Sequence, residues 1–301
     1  MAEYLFIVNP AAGKGSGRKA AERLSGILRQ HAVVHKMFFT EKPGHAMELA
    51  RSIDGRFVVA VGGDGTINEV ANALWNTDRV FGVIPTGSGN DFIKSAGIPR
   101  RMEDALELIL RGRIRRIDAG HVSVGVSENG SIKYAPGRLF VNGVGVGFDA
   151  AVACRTTQIR YLSGTALYLL AVLQTIGGFR PPHFRVRVDE LSWNAQHLLI
   201  ATGNGKCAGG GFYLTPEAEI DDGFLDVCAI GDVSLLKVLR LIPSVMKRKQ
   251  IEDEQVKYLR AKTIDLSSLD HFAVHADGEI VGRDVQAVKL EVLPGAIQIL
   301  G

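Results

Sequence analysis

The chain has 301 residues, 46% of them apolar and 22% charged, a balance that belongs to a folded protein and excludes disorder by composition. That length suits two domains better than one core. The net charge of +3 is too small to argue for a nucleic-acid partner, although it would tolerate an anionic membrane surface. Cys154, Cys207 and Cys228 are scattered and lack ligand spacing, as expected of reduced core thiols in a cytosolic protein. No basic n-region precedes the first strand, so no secretory signal is expected. The apolar stretch from Ala166 to Ile176 falls short of the roughly 20 residues that span a bilayer. Contact with lipid would therefore be peripheral.

The first third reads as alternating strands and helices. Leu5 to Val8 is a continuous apolar run, as in a strand buried on both faces. It ends in the turn-forming stretch Asn9 to Gly17, and a helix with Ala20, Ala21, Leu24, Ile27 and Leu28 on one face follows. Val33 to Phe39 reads as the second strand, ending at Thr40, and Pro43 to Ile53 as a helix with proline at its start. Phe57 to Val61 is the third strand, Ile67 to Trp75 the next helix, and Val80 to Ile84 the fourth strand, which runs into Pro85 to Asp91. Such repetition implies a parallel sheet covered by helices, with ligands at the carboxyl ends of the strands. Each glycine-rich stretch lies at one of those ends.

Near Asp118 alternating strand patterns take over: His121 to Val126, Leu139 to Val144, Phe184 to Val188, Leu198 to Thr202 and Leu225 to Ile230. Helical stretches at Ala150 to Ile176 and Ser234 to Lys249 interrupt them, and Val288 to Leu300 reads as one or two final strands. The expected organisation is an α/β domain over residues 1–118 and a β-rich domain over residues 119–287.

Gly62-Gly63-Asp64-Gly65-Thr66-Ile67-Asn68 carries the strongest chemical signal. Its glycines let backbone N–H groups approach an anion, and the helix behind adds its positive end. Asp64 is a poor phosphate ligand; it suits Mg²⁺ or the orientation of the loop. A phosphate site for ATP is the reading. Asn9 to Gly17 lacks the Walker A spacing, which disfavours a P-loop NTPase, but Lys14 could neutralise phosphate. Ser88 and Asn90 offer neutral polar groups and Asp91 a carboxylate; Asn90 or Asp91 could equally cap the next helix. Asp277 and Glu279 flank Gly278: they could present a base to a substrate hydroxyl, or form an exposed hairpin turn. Glu219 to Phe224 clusters acids that could hold a hard cation or form a solvated turn. The glycine spacing of Gly143 to Gly147 is wrong for a dinucleotide fingerprint. Arg111 to Arg116 and Lys247 to Lys249 read as solvated surface or as contacts for anionic headgroups.

Taken together, Asn9-Pro10-Ala11-Ala12-Gly13, Gly62 to Glu69, Gly87-Ser88-Gly89-Asn90-Asp91, Gly209-Gly210-Gly211, Asp221-Asp222-Gly223 and Asp277-Gly278-Glu279 resemble, in order and spacing, the bacterial diacylglycerol-kinase-like lipid kinases. These are relatives of the sphingosine kinases and, more distantly, of NAD kinases. The resemblance covers nearly the whole chain. It implies a Rossmann-like α/β domain and a C-terminal β-sandwich-type domain, with a segment at about 288–301 returning to the first. It implies ATP contacts from Thr40, the Gly62 to Asn68 loop and Ser88, and Asp277 as general base in an interdomain cleft, with Glu279 beside it. It further implies a structural Mg²⁺ held by Asp222 and the carbonyls of Glu219 and Phe224. Two positions depart from many relatives, Ser88 for Thr and Phe224 for Leu or Tyr; neither removes the group the chemistry needs. The expected activity is phosphorylation of a lipid hydroxyl at the inner membrane surface, on diacylglycerol, phosphatidylglycerol or a similar acceptor. An NAD kinase and a non-catalytic nucleotide-binding regulator are the alternatives. The oligomeric state stays open, a homodimer included.

Overall fold

The computed structural model describes residues 3–159, 162 and 164–301; the side chains of residues 14, 164, 165 and 235 lie outside the description. The chain divides into two compact units, Met1–Asp118 with Gly295–Gly301, and Ala119–Pro294.

In the first unit, β1 (Tyr4–Val8), β2 (His35–Phe39), β3 (Phe57–Gly62) and β4 (Val80–Pro85) are all parallel, in the order β2-β1-β3-β4. The returning end of the chain adds parallel pairs from Gln298 and Ile299 to Val80 and Phe81. β1, β3 and β4 are apolar and almost wholly buried because helices cover the sheet. α1 (Ala12–Gln30) buries Ala21, Leu24 and Leu28 against Phe6, Val8, Val59 and Val61. α2 (His45–Ser52), α3 (Asp64–Leu74), α4 (Asp91–Ala96) and α5 (Met102–Leu110) complete the unit. Asp118 Oδ1 accepts from the Gly295 amide at 2.7 Å, fixing the returning end.

Two helices start earlier than their patterns suggested. Residues 12–17, read as loop, already belong to α1, because the Asn9 side chain and carbonyl take the Ala11 and Ala12 amides and start the turn. Likewise α3 begins at Asp64, so Gly63 alone separates it from β3. β2 starts at His35 instead of Val33, and α2 at His45 instead of Pro43.

In the second unit, strands run β12-β11-β10-β8-β13-β14: β12 (Val256–Ala261), β11 (Leu225–Gly231), β10 (Leu191–Gly203), β8 (Gly143–Gly147), β13 (Thr263–Ala276) and β14 (Glu279–Leu300). β9 (His183–Val188) joins the outer halves of β10 and β13. β5 (Ile114–Glu128) pairs with β14, β6 (Ser131–Tyr134) and β7 (Arg138–Phe140). β10 and β13 are long because each changes partner along its length, pairing with β9 at one end and β8 at the other. Phe140, Phe184, Phe272 and the surrounding valines fill the core between them.

The single helix expected over Ala150 to Ile176 is two, α6 (Phe148–Thr156) and α7 (Gly164–Ile176). Residues 160, 161 and 163 of that stretch lie outside the described residues. α8 runs Leu235–Val245, capped by the Ser234 hydroxyl, which accepts from the Lys237 amide. It stops before Lys249, and Pro243 stands in its last turn. The final strands are one, β14. Among the described residues no helix is long and apolar enough to cross a membrane. The three cysteines are free; Cys207 and Cys228 are buried and Cys154 is partly exposed. Burial pushes the Cys228 thiol up to about 12.

Candidate functional site

Three turns meet at the carboxyl ends of β1, β3 and β4 within the first unit. Asn9 Nδ2 donates to Thr66 Oγ1 at 3.1 Å, and the Asn9 amide to the Val61 carbonyl at 2.9 Å. The Thr86 amide donates to the Gly62 carbonyl at 2.8 Å. Gly63 and Gly87 lie so close that a Cβ on Gly87 would come within 2.5 Å of Gly63 Cα. Gly62 is glycine for a similar reason, since a Cβ there would meet the Thr66 side chain at 2.5 Å. These contacts require glycine for close approach, and Gly63, Asp64 and Gly65 are partly exposed at the N-terminus of α3.

Asp64, in the first turn of α3, reaches out of its own helix. Its Oδ1 accepts from the amides of Asp91 (2.7 Å) and Phe92 (3.2 Å), the first residues of α4. Asn90, in the left-handed region at φ 49°, turns its side chain back on Gly87, accepting from its amide (3.1 Å) and donating to its carbonyl (2.8 Å). The cap of α4 expected from Asn90 or Asp91 thus comes from a residue 27 positions earlier. Asp91 is buried, and its Oδ1 takes the Lys94 ammonium at 2.6 Å. Asn68 Oδ1 accepts from Asn72 Nδ2 at 3.1 Å, and Ile67 is a core residue. Gly65 lies in the first turn of α3. Glu69, which sequence reasoning passed over, takes the amides of Gly44 and Ala46, each at 2.9 Å, and so caps α2. Nothing local in the sequence marks that role, because the partners lie 25 and 23 residues away.

Thr40 is buried at the end of β2, its amide bound to the Val8 carbonyl at 2.9 Å. Beside it a surface depression of about 710 Å³ is lined by Pro10, Arg18, Met37, Phe39, Thr40 and Glu41. Ser88 is exposed in the turn after β4. The side chain of Lys14 lies outside the described residues.

In the second unit, Asp277 and Gly278 form the two-residue turn joining β13 to β14, both at positive φ (49° and 84°), with Ala276 and Glu279 paired across it. The hairpin reading of this motif is therefore what the backbone adopts, and Asp277 and Glu279 do not share a strand face. The Asp277 carboxylate is nonetheless engaged. Oδ1 accepts from the amides of Asn142 (3.0 Å) and Gly143 (2.8 Å), and Oδ2 from Val141 (2.8 Å). Glu279 pairs with Arg138 at 2.8 Å.

Two residues before Asp277 lies a buried polar chain that sequence reasoning also missed. His275 Nε2 meets Asp149 Oδ2 at 2.9 Å, and the Tyr168 hydroxyl donates to Asp149 Oδ1 at 2.5 Å. Burial alone would raise the Asp149 carboxyl, but the His275 charge and the bonds from His275 and Tyr168 outweigh it and hold it below 3.8. Burial would lower His275, yet Asp149 holds it above 6.5. Burial, then Asp149, keeps the Tyr168 phenol protonated. A Cβ at residue 145 would collide with both Asp149 and His275, so Gly145 gives the pair its room. The 141–149 segment is thus held at both ends, by Asp277 of the turn after β13 on its amides and by His275 of β13 on Asp149.

The cation site expected from Glu219, Asp222 and Phe224 finds other partners. Asp222 Oδ1 accepts from the Phe224 amide at 2.9 Å, and its Oδ2 pairs with Arg260. Arg260 and Lys262 both lie over the Phe224 ring, at 4.8 and 5.4 Å. Burial foremost raises Asp226 to about 6, while Arg260 opposes it. Asp222, the one side-chain ligand expected for Mg²⁺, thus has Arg260 as a charged partner, and Lys262 lies over the neighbouring Phe224 ring.

An apolar cavity in the same unit is lined by Phe148, Tyr168, Val172, Phe212, Leu241 and Val245, among others. Tyr168 stacks on Phe212 with ring centroids 4.4 Å apart, so the one hydroxyl on this wall belongs to the buried chain.

Comparison with known proteins accords with this geometry. Residues 3–122 match the family model of the diacylglycerol kinase catalytic domain, and residues 142–301 that of the YegS C-terminal NAD kinase beta sandwich-like domain. A diacylglycerol kinase of Mycobacterium tuberculosis is 30% identical over 302 residues, 98% of this chain and 93% of its own length. A protein of Pectobacterium atrosepticum named "Probable lipid kinase YegS-like" is 30% identical over 303 residues, 97% and 94% of the two chains. The solved structure of a diacylglycerol kinase from Bacillus anthracis superimposes with a TM-score of 0.71 at 21% identity, covering 99% of this chain and 96% of that one. Yeast NADH kinase shares the fold more distantly, with a TM-score of 0.53 at 12% identity over 99% and 82% of the chains. The glycine-rich turns, the β-rich second unit and these full-length likenesses agree: the chain belongs to the diacylglycerol kinase catalytic-domain family, in the lipid-kinase branch that carries a YegS-type C-terminal domain.

Proposed function

We propose that this protein transfers the γ-phosphate of ATP to the hydroxyl of a membrane lipid such as diacylglycerol or phosphatidylglycerol. The observation that carries the donor half is the convergence of the Asn9, Gly62–Gly63 and Gly87 turns at the carboxyl ends of β1, β3 and β4. Open backbone and a helix N-terminus favour phosphate there. The depression beside Thr40 would take the rest of the nucleotide. ATP arrives as its Mg²⁺ complex, so that ion is part of the substrate.

In the transfer, Asp277 removes the proton as the lipid oxygen bonds to the γ-phosphorus. The bond from that phosphorus to the β–γ bridging oxygen breaks, and ADP leaves with the electron pair. The apolar cavity of the second unit has the lining an acyl chain needs but a volume of only about 60 Å³, so the walls from α7 and α8 would have to part to admit one. Tyr168, Asp149 and His275 hold the segment whose amides Asp277 grips, and so act as positioning residues.

A second reading has one observation in its favour. Three amides already occupy Asp277, which suits a residue that only holds the 141–143 segment in place. Asp277→Asn separates the two. The overall activity is tested by incubating purified protein with labelled ATP and either a total lipid extract or NAD. Label in a chloroform-soluble phospholipid, identified by mass spectrometry, is expected. Label in NADP alone, or no transfer at all, would overturn it.

A further inference from the structure

α8 carries two apolar faces. Val238, Leu241, Ile242 and Val245 point into the molecule and line the apolar cavity. A second stripe faces out: Leu236, Leu239 and Met246 are 58%, 37% and 45% exposed, and Pro243 is exposed between them. Positions 236, 239, 243 and 246 fall on one side of a helix by their three- and four-residue spacing. A helix packed against a protein core needs only one such stripe; the second lacks a partner within the described residues. Across the same cavity, α7 leaves Leu173 58% exposed.

The charges carried by the helix and the residues just after it have one sign. From Val233 to Ile251 the chain has five basic side chains, Lys237, Arg240, Lys247, Arg248 and Lys249, and no acidic one. Lys237 is paired with Asp253 at 2.7 Å and Arg248 lies over Tyr213, which leaves Arg240, Lys247 and Lys249 exposed beside the apolar stripe. The acids Asp232, Glu252, Asp253 and Glu254 lie beyond the two ends of this stretch.

We infer that the outer face of α8 docks on an anionic lipid bilayer. Exposed leucine and methionine bordered by cations match acyl chains below anionic headgroups. The opposite face of the same helix lines the small apolar cavity, so docking would bring the bilayer to the wall that must move to admit an acyl chain. The inference rests on the lipid-kinase reading and names the surface by which the enzyme reaches its substrate.

The test is co-sedimentation of the purified protein with vesicles of phosphatidylcholine alone or mixed with phosphatidylglycerol. Preferential binding to the mixed vesicles is expected. Lys247→Glu/Lys249→Glu should weaken it by about 30-fold, at roughly a factor of five per basic residue. Leu236→Ser/Leu239→Ser should weaken it by about 10-fold or more through lost apolar burial. All four residues are exposed, so both variants should melt with the parent. Should the leucine variant melt early, the charge variant alone decides. Phosphorylation of a short-chain, monomeric lipid should be unchanged in both. Wild-type binding by the variants would overturn the inference. So would a wild-type dimer that the leucine variant dissolves, because a second copy would then be the occupant. If no lipid is phosphorylated but vesicle binding still depends on these residues, the activity fails and the docking face stands.

Discussion

The two units use carboxylates for the same physical task on different backbones. In the first, Asp64 and Glu69 on α3 reach across to the N-termini of α4 and α2, so one helix sets the positions of two others. In the second, Asp277 takes three amides of an extended segment, while the buried Asp149–His275 pair holds the far end of that segment. The first arrangement leaves its acids at helix ends, where positive dipoles and uncapped amides stabilise them. The second buries charge, offset by the Asp149 contacts to His275 Nε2 and the Tyr168 hydroxyl, while His275 Nδ1 is buried without a hydrogen-bond partner among the described residues. Substitutions should therefore loosen helix ends in the first unit and the 141–149 segment in the second.

The largest effect should come from Asp277→Asn. Turnover should fall by about 10²- to 10⁴-fold if the carboxylate is the base, with ATP affinity unchanged by calorimetric titration. Asn can still accept from two amides but turns a donor toward a third, so a modest loss in melting temperature should accompany it. Full turnover in a variant that melts early would leave Asp277 as a holder of the 141–143 segment.

Next is Asp64→Ala, which strips the cap from α4. A loss of about 1–3 kcal/mol in unfolding free energy is expected from the orphaned amides, together with a higher ATP KM and lower turnover. An unchanged ATP KM would detach this loop from the nucleotide.

Tyr168→Phe keeps the ring on Phe212 and removes the bond to Asp149. It should cost about 1–2 kcal/mol by chemical denaturation. A variant as stable as the parent would show that Asp149 does not need the phenol.

The smallest effect is a pH dependence confined to the second unit. His275 is held above its ordinary 6.5, so its contribution is complete below pH 6.5 and is lost as pH rises through the raised value. Asp149 is held below 3.8, so its contribution is complete above pH 3.8 and is lost as pH falls through the lowered value. Both are whole between those limits. Melting curves should show the alkaline loss in the parent, and His275→Gln should flatten it.

Much was legible from the residues alone. Continuous apolar runs identified buried parallel strands, and alternation identified β9, because those periods follow from which faces meet water. The glycine-rich turns were legible as well, since only glycine allows Gly63 and Gly87 to touch. Helix starts were less so: α1 begins inside the expected loop because the Asn9 side chain, two residues before the first helical amides, nucleates it. The single stretch from Ala150 to Ile176 held two helices, since apolar periodicity does not reveal where a chain turns between them.

The sequence by itself determined the class of each unit and the place of the glycine-rich turns, because both depend on local periodicity and backbone freedom. Only the tertiary structure decided what the acids do. Asp64 bonds 27 residues away, Asp149 meets a histidine 126 residues on, and Asp222 pairs with Arg260, 38 residues on. A carboxylate's role is set by which donors the fold brings within about 3 Å, and no spacing along the chain records that.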